Sequence, residues 1–246
     1  KEVGVAERVH FLGSLAPSML PPILSAADAM VLPSASEGLA NAWIEALACG
    51  TPIVITDAGV ARAVVNVHYL ADALEAHVTG RASPKVTISD ERDALLETGG
   101  GMIKGQGLLP DPFFCLNSDN IWLDGPRNAF ADLSMLWDAE RMDALVLVVP
   151  HKRSANFAGS GDFHLDAAGK VSRRQPGRIA PFIYTGIQLV SHRLLRDAPE
   201  GKFSTNILWD RAIAEGRLFG VAFTGQWYEV GTPAHIRPTE EALRGG

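Results

Sequence analysis

The stretch FFCLNSDN, at residues 113–120, is a short apolar run that ends in a polar cluster. Similar runs recur along the chain and alternate with segments of helical periodicity, which is typical of βαβ units and a mostly parallel sheet. Such a sheet presents its ligands where a strand ends, and Asp119 lies at that point. The sequence therefore predicts an α/β fold with a Rossmann-like, mostly parallel sheet and flanking helices.

The same alternation predicts the individual elements. Strands are expected at Val9–Leu12, Ala29–Leu32, Pro52–Ile55, Ala63–Val67, Lys85–Ser89, Phe113–Leu116, Ala144–Val149, Phe182–Leu189 and Leu218–Phe223. Helices are expected at Met19–Ala26, Ala40–Cys49, Tyr69–Val78, Ala129–Trp137 and Ile207–Glu215. In GDFHLDAAGKVSRR, at residues 161–174, a turn sequence separates two short alternating runs, which predicts a β-hairpin insert.

Composition limits the possible functions. The 246 residues suffice for one large or two small domains, and a net charge of −6 argues against broad nucleic-acid binding. Apolar runs are shorter than the roughly 18 residues of a membrane span, so a cytoplasmic protein without a membrane partner is expected. Cys49 and Cys115 lie in apolar runs and are expected to be reduced core residues. The chain starts at Lys1 without a signal-peptide pattern, which predicts a fragment. Its oligomeric state is not indicated.

The first candidate site lies in SASEGLANAWIEALACGTPIVIT, at residues 34–56. Glu37 and Glu45 are separated by eight positions around a predicted helix, and Gly38 allows close backbone approach. Two carboxylates so placed can bind the hydroxyls of a ribose and a sugar, although glutamates on a helix are also common as surface charge. The seven histidines show no metal-ligand spacing, which argues against a zinc site.

Residues 1–58 resemble the donor-nucleotide half of retaining glycosyltransferases with the GT-B architecture. The resemblance implies that Glu37 contacts the donor sugar and Glu45 the donor ribose, with Gly38 beside them. The acceptor-binding domain of that family has no counterpart in the chain. A glycosyltransferase fragment that binds a nucleotide-sugar donor is therefore one alternative.

From about residue 58 onward the chain resembles a different family, the sugar-1-phosphate nucleotidyltransferases. The resemblance rests on LETGGG, FFCLNSDN, IAPFIYTGIQL, FSTNILWDRAI and QWYEVGTP, which occur in this order. It is strongest to uridylyltransferases that act on N-acetylmuramate 1-phosphate in cell-wall recycling. It implies transfer of UMP from UTP to a sugar 1-phosphate with Mg²⁺, giving a UDP-sugar and pyrophosphate, so nucleotides and sugar phosphates are the expected partners.

This second resemblance also implies a set of site residues. Asp119 and Glu229 are the metal carboxylates, although many relatives carry aspartate where this chain has Glu229. The loop that recognises uracil comprises Glu97, Thr98, Gly99 and Gly100, followed by Gly101. Thr185 and Gly186 match the strand next to the sugar, Asn206 and Asp210 are further candidates for the sugar pocket, and Asn117 is expected to bind substrate. From the residues alone, a glycine triplet is more often a flexible turn than a base-binding site. Helix-capping and helix-surface roles explain Asn206 and Asp210 equally well.

One expected feature of this second family is absent from the sequence. Its phosphate loop, of the form G-x-G-x-R-M-x-P, and the lysine that follows it have no counterpart, so the catalytic residues are unassigned and impaired activity is expected. The prediction is a glycosyltransferase-like βαβ fragment at residues 1–57 and a nucleotidyltransferase-like domain at 58–246. The alternative is that the two parts form one merged sheet. A non-catalytic chimera is the remaining alternative.

Overall fold

The computed structural model describes residues 30–31, 53–54, 62–69, 71–79, 84–154, 157 and 159–245. The fold is mixed α/β, with mostly parallel main strands and flanking helices, as predicted. The strands are β1 (Met30–Val31), β2 (Ile53–Val54), β3 (Arg62–Val67), β4 (Lys85–Asp90), β5 (Phe113–Leu116), β6 (Asn120–Leu123), β7 (Ala144–Pro150), β8 (Phe163–Leu165), β9 (Val171–Arg173), β10 (Phe182–Val190), β11 (Leu218–Ala222) and β12 (Gln226–Glu229). The helices are α1 (Ala71–Val78), α2 (Glu97–Gly105), α3 (Ala129–Leu136), α4 (Asn206–Ala214) and α5 (Pro233–Gly245).

A six-stranded sheet forms the centre of the fold, in the order β11-β7-β10-β8-β9, with β5 also paired to β10. Strands β5, β7 and β11 share one direction, and β10 runs antiparallel between β5 and β7. Strand β7 is almost completely buried, and its sequence ALVLVVP is apolar throughout, as expected of a central strand covered on both faces. The hairpin predicted within residues 161–174 is confirmed as β8 and β9.

Both faces of this sheet are covered by apolar side chains. One face carries a cluster that includes Met102 of α2 and Trp209 of α4. The other carries a cluster around Leu133 of α3 and Ile187 of β10. Because α2 and α4 lie on the same face, the segments at which these two helices begin can meet.

Two further parallel pairs lie outside the central sheet. Strand β3 pairs with β4 from Arg62↔Lys85 to Val67↔Asp90, and β1 pairs with β2. The other predicted N-terminal elements, Val9–Leu12, Met19–Ala26 and Ala40–Cys49, lie outside the described residues. The proposed division of the chain near residue 58 therefore stays a prediction. In the part that the structure describes, no helix is long and apolar enough to cross a membrane.

Four elements were not predicted from the sequence. Helix α2 occupies the segment interpreted as a glycine loop, and α5 follows WYEVGTP at the end of the chain. Strands β6 and β12 form a separate antiparallel pair, from Asn120↔Glu229 to Leu123↔Gln226. Helix α2 and strands β6 and β12 matter for function because they carry or position candidate site residues.

Candidate functional site

The candidate site lies at the edge where the parallel strands β5, β7 and β11 end. Asn117, Ser118 and Asp119 follow β5 there, and all three are exposed. The backbone N–H of Asn117 donates a 2.8 Å hydrogen bond to the carbonyl oxygen of Gly186 in β10. The structure thus brings together Asn117 and Gly186, two of the residues predicted to bind substrate.

Strands β6 and β12 bring the two predicted metal carboxylates to neighbouring positions. Glu229 is the register partner of Asn120, and the N–H of Val230 donates a 2.8 Å hydrogen bond to the carbonyl of Asp119. The side-chain amide of Asn120 also donates a 2.9 Å hydrogen bond to Oδ1 of Asp119. One oxygen of the Asp119 carboxylate is therefore held by its buried neighbour, and the other faces Gly231.

This pair is compatible with a magnesium ion but not with a closed protein cage. Oδ2 of Asp119 lies 3.5 Å from where a Cβ atom at Gly231 would be, so the glycine leaves room beside the carboxylate. Mg²⁺ commonly binds one or two carboxylates and completes its coordination with water and substrate phosphates. No group of three or more His, Cys, Asp or Glu side chains among the described residues is arranged to hold a metal. Asp119 and Glu229 would therefore need phosphate and water oxygens as additional ligands.

The interpretation of the glycine triplet as a loop is wrong. Gly99, Gly100 and Gly101 are buried in the first turns of α2. A Cβ atom on Gly99 would lie 2.3 Å from the ring of Phe203, and one on Gly100 would lie 2.3 Å from the carbonyl oxygen of Gly201. Close packing against the chain therefore accounts for the first two glycines, and their role in uracil recognition stays a prediction.

The same contacts define a feature that we call the glycine clasp, formed by residues 96–100 and residues 201–205. The N–H of Phe203 donates to the carbonyl of Leu96 at 3.1 Å, and the N–H of Gly99 donates to the carbonyl of Phe203 at 2.9 Å. The N–H of Thr205 donates to Oγ1 of Thr98 at 3.1 Å. The clasp joins the start of α2 to the start of α4, so the predicted uracil-binding residues and Asn206 belong to one connected unit.

A buried carboxylate supports this unit from the side of β3 and β4. Oε1 of Glu91 accepts a 2.5 Å hydrogen bond from the side-chain amide of Asn66, and Oε2 accepts a 3.1 Å bond from the N–H of Leu96. The amide of Asn66 also donates to the carbonyl of Gly101 at 3.2 Å. Glu91 therefore fixes the segment that leads into α2. Glu91 was not predicted from the sequence, although it lies two positions beyond the predicted strand Lys85–Ser89.

Thr185 faces the interior of the protein. Its hydroxyl is fully buried and donates a 2.9 Å hydrogen bond to the carbonyl of Leu147, and its own carbonyl accepts a 2.9 Å bond from Nε1 of Trp227. Any contribution of Thr185 to sugar binding would have to come through the backbone near Gly186, and that role stays a prediction.

Asn206 and Asp210 lie on α4 and contact the β-hairpin through Arg173. Nε of Arg173 donates to Oδ1 of Asp210 at 2.7 Å, and Nη2 donates to the carbonyl of Asn206 at 3.1 Å. The guanidinium also lies over the rings of Phe163 and Trp209, at 5.2 and 5.6 Å from their centroids. Asp210 thus anchors the hairpin, whereas the side chain of Asn206 is exposed beside the clasp.

A chain of buried polar groups lies beneath the site and was not predicted. Nε1 of Trp209 donates a 3.0 Å hydrogen bond to Oε1 of Gln188, whose amide donates to Sδ of Met102 at 3.9 Å. Burial raises the pKa of the Cys115 thiol to about 11, and a hydrogen bond with Gln188 partly opposes this. Burial also raises the pKa of Tyr184 well above its usual value. Both groups are therefore neutral at physiological pH.

The N-terminal candidates cannot be placed in the same way. Glu37, Gly38 and Glu45 lie outside the described residues. Their assignment to a nucleotide-sugar donor stays a prediction.

Comparison with known proteins identifies the larger part of the chain. Over 181 residues it is 41% identical to N-acetylmuramate alpha-1-phosphate uridylyltransferase of Caulobacter vibrioides, an alignment that covers 72% of the chain and 75% of that protein. The chain belongs to the sugar-1-phosphate nucleotidyltransferase family. The predicted family and class of enzyme are thereby confirmed.

Solved structures agree with this family at the level of fold. HddC from Yersinia pseudotuberculosis superposes with a TM-score of 0.59 at 18% identity, covering 75% of this chain and 80% of that one. HddC has also been crystallised in complex with GMP-PN. The inositol-1-phosphate CTP transferase from T. maritima superposes with a TM-score of 0.54 at 12% identity, covering 81% of this nucleotidyltransferase chain and 78% of that one.

The beginning of the chain matches other proteins. Residues 1–82 match the family "Glycosyl transferases group 1". Over 50 residues the chain is 42% identical to 2-deoxystreptamine N-acetyl-D-glucosaminyltransferase of Streptomyces fradiae, which covers 20% of the chain and 12% of that protein. The chain thus spans only a small part of the glycosyltransferases that it matches, whereas it spans three quarters of the uridylyltransferase.

Proposed function

We propose that this nucleotidyltransferase binds UTP and an N-acetylated hexose 1-phosphate, with N-acetylmuramate 1-phosphate as the preferred sugar, and transfers UMP between them. The observation that carries the proposal is the placement of Asp119 beside Glu229 at the sheet edge, in a chain that is 41% identical to a uridylyltransferase. Asn117 and Gly186 lie at the same edge. Two carboxylates next to small, polar residues suit a ligand that combines phosphates with a sugar.

In the proposed reaction, an oxygen of the sugar phosphate attacks the α-phosphorus of UTP in line, and pyrophosphate leaves. When bound, Mg²⁺ would neutralise negative charge on the phosphate oxygens. Asp119 and Glu229 would hold it, and the hydrogen bond from Asn120 to Asp119 fixes the carboxylate. The clasp would orient the uracil at the start of α2, and the edge near Gly186 would orient the sugar. The protein acts mainly by positioning two anions against each other, which is the dominant contribution in phosphoryl transfer.

We further propose that turnover is slow. Cationic groups on the transferred phosphates contribute several powers of ten to the rate of such reactions. The chain carries no counterpart of the arginine-containing phosphate loop of this family. The lack of this loop should therefore lower the rate of UMP transfer more than it lowers the affinity for the substrates.

The test is pyrophosphate release from UTP and N-acetylmuramate 1-phosphate in the presence of MgCl₂. We expect measurable but slow release that disappears in Asp119→Asn and is strongly reduced in Glu229→Gln. Glu215→Gln serves as a control, because Glu215 is exposed at the far end of α4. Release that is unaffected by Asp119→Asn would exclude the proposed site, and rapid turnover would contradict the argument about rate.

A second candidate function rests on the match of residues 1–82 to the glycosyltransferase family. In that case Glu37 and Glu45 bind a nucleotide sugar. The candidate predicts that UDP-N-acetylglucosamine binds to the chain, that Glu45→Ala abolishes this binding, and that Asp119→Asn leaves it unchanged. The opposite pattern would assign nucleotide-sugar binding to the C-terminal site instead.

A further inference from the structure

Lys202 occupies a distinctive position at the start of α2. It lies in the glycine clasp, and its Nζ is 3.4 Å from Oε1 of Glu97, the first residue of α2. Both side chains are well exposed, with relative accessibilities of 57% for Lys202 and 43% for Glu97. The charged pair therefore lies at the surface, directly beside the residues proposed to bind uracil.

The pair is not needed to hold the clasp together. The backbone hydrogen bonds of Phe203 to Leu96 and Gly99 already join the two segments. The separation of 3.4 Å is longer than that of a typical charge-assisted hydrogen bond, and exposed pairs of this kind contribute little to stability. The ammonium group of Lys202 thus keeps donors available for another partner.

The backbone holds Glu97 in an unusual conformation. Its φ is +59°, in the left-handed region that residues other than glycine rarely adopt. Gly201, which precedes Lys202, also has a positive φ, of +76°. Strained residues persist where the surrounding structure fixes them, and they cluster at ligand-binding sites. Here the hydrogen bonds of the clasp hold Leu96 and Thr98 on either side of Glu97, and Phe203 next to Lys202.

Most other cations in the described part of the chain have structural partners. Arg173 binds Asp210, Arg193 and Arg217 bind Asp143, and Arg92 binds Asp72, Glu75 and Asp90. Lys202 differs from them because its partner is a single exposed carboxylate at the start of α2. That location follows the carboxyl end of β4, which pairs in parallel with β3.

We propose that Lys202 binds a phosphate group of the substrates. In the absence of ligand Glu97 is the counter-ion of Lys202, and the ion pair opens when the phosphate binds. The inference rests on the proposed function and adds a cationic residue to that site. Without ligand, the ammonium group is paired with Glu97, and with ligand it donates to a phosphate oxygen. Glu97 then competes with the phosphate for Lys202, so the two residues should affect binding in opposite directions.

The test uses isothermal titration calorimetry with UTP, UMP, uridine and N-acetylglucosamine 1-phosphate, at low and at moderate NaCl concentration. Lys202→Met should weaken binding of the phosphate-bearing ligand about tenfold, as expected for loss of a hydrogen bond to a charged group, and leave uridine unchanged. Glu97→Gln should strengthen the same binding severalfold. If the two substitutions change the affinity for UTP and UMP only, the phosphate that Lys202 binds belongs to the nucleotide. If they change the affinity for the hexose phosphate only, it belongs to the sugar.

Lys85→Met and Glu215→Gln are the matched controls, because both residues are exposed and lie away from the clasp. A purely structural ion pair would make Lys202→Met and Glu97→Gln act in the same direction, and that result would overturn the inference. Unchanged phosphate binding in Lys202→Met would overturn it as well. If UTP binding depends on Asp119 but not on Lys202, only this inference fails. If the unmodified chain binds none of the four ligands, the proposed function fails with it.

Discussion

A Cβ atom at Gly186 would lie 2.2 Å from Nδ2 of Asn120, far inside the contact distance of real side chains. Asn120 is buried and donates a hydrogen bond to Asp119, so Gly186 makes room for the residue that orients the proposed metal carboxylate. The backbone of Gly186 also has a φ of +84°, which disfavours any other residue. The absence of a side chain at Gly186 in β10 therefore leaves the space that Asn120 needs in order to orient the carboxylate of Asp119.

Gly186→Ala should therefore destabilise the protein and disturb the site. We expect a loss of about 3 kcal/mol in the free energy of unfolding, of which about 1 kcal/mol comes from the positive φ and the rest from displacement of Asn120. Urea denaturation followed by tryptophan fluorescence measures this loss. Gly177→Ala is the control, since Gly177 has a φ of +71° and, among the described residues other than its chain neighbours, no heavy atom lies within 4 Å of the position that a Cβ atom would occupy there. Equal losses in the two variants would contradict the role assigned to the contact with Asn120.

Asp143→Asn should strongly destabilise the protein, although Asp143 is not one of the candidate site residues. Oδ1 of Asp143 accepts hydrogen bonds from Nε of Arg193 at 2.5 Å and from Nε of Arg217 at 2.6 Å, and the residue is only 4% exposed. Asparagine keeps an oxygen that can accept a hydrogen bond but removes the negative charge that the two guanidinium groups share, which we expect to cost about 3 kcal/mol in urea denaturation.

The control for Asp143 is Glu241→Gln. Glu241 pairs with Arg237 at 2.9 Å, but both side chains are mostly exposed. Exposed pairs contribute little, so this variant should change the free energy of unfolding by less than about 0.5 kcal/mol. A loss as large as that of Asp143→Asn would show that exposure does not determine the strength of these pairs.

The Cys115 thiol should make stability depend on pH in the alkaline range. Its pKa is raised from 9.0 to about 11 by burial, so the unfolded chain loses the proton first as the pH rises. The stabilisation is therefore fully present below pH 9 and is lost progressively between about pH 9 and pH 11. Because part of Cys115 remains exposed, we expect a loss of about 2 kcal/mol over this range.

This dependence is measured by urea denaturation at several pH values in a Cys49→Ser background, which leaves Cys115 as the single thiol. Adding Cys115→Ala should flatten the profile between pH 9 and pH 10, below the range in which Tyr184 ionises. In the same background, Ellman's reagent should react slowly with the folded protein at pH 8 and quickly in denaturant. A fast reaction in the folded state would contradict the raised pKa.

Tyr184→Phe should preserve or increase stability. The hydroxyl of Tyr184 is buried and has no hydrogen-bond partner among the described residues, so its removal relieves an unsatisfied polar group. Tyr228→Phe is the matched control, because Tyr228 is also a buried residue but its hydroxyl donates a 2.8 Å hydrogen bond to Oε1 of Gln226. That variant should lose about 1 kcal/mol. The prediction fails if Tyr184→Phe is the more destabilising of the two in thermal or urea denaturation.

The sequence was sufficient to predict most of the central sheet. Strands such as β5, β7 and β10 are apolar runs bounded by polar or turn residues. The apolar residues therefore indicate that the strand is buried, and the polar residues indicate where it begins and ends. The hairpin at residues 161–174 was predictable because its turn residues separate two alternating runs. Local patterns of this kind do not depend on distant contacts.

Helix α2 was missed for the opposite reason. Three consecutive glycines disfavour a helix in an isolated segment, each by about 1 kcal/mol. In the folded protein they permit contact with Gly201 and Phe203, about a hundred positions away, and the hydrogen bonds of the clasp stabilise the helix start. The pairing of β6 with β12 likewise joins Asn120 to Glu229 across about a hundred residues that include most of the central sheet. The location of Asp119 just beyond β5 was predictable from the apolar run that precedes it, but the contacts that orient its carboxylate were not.

Strands β3 and β5 each have one partner among the described strands, β4 and β10 respectively. On β3, the side chains of Ala63, Val64 and Val65 remain half-exposed, although their apolar character suits the interior of a sheet. An edge of this kind is a template for further strands during synthesis and refolding. The yield of soluble protein in cells should therefore depend on chaperone capacity and growth temperature more than on the stability of the finished fold.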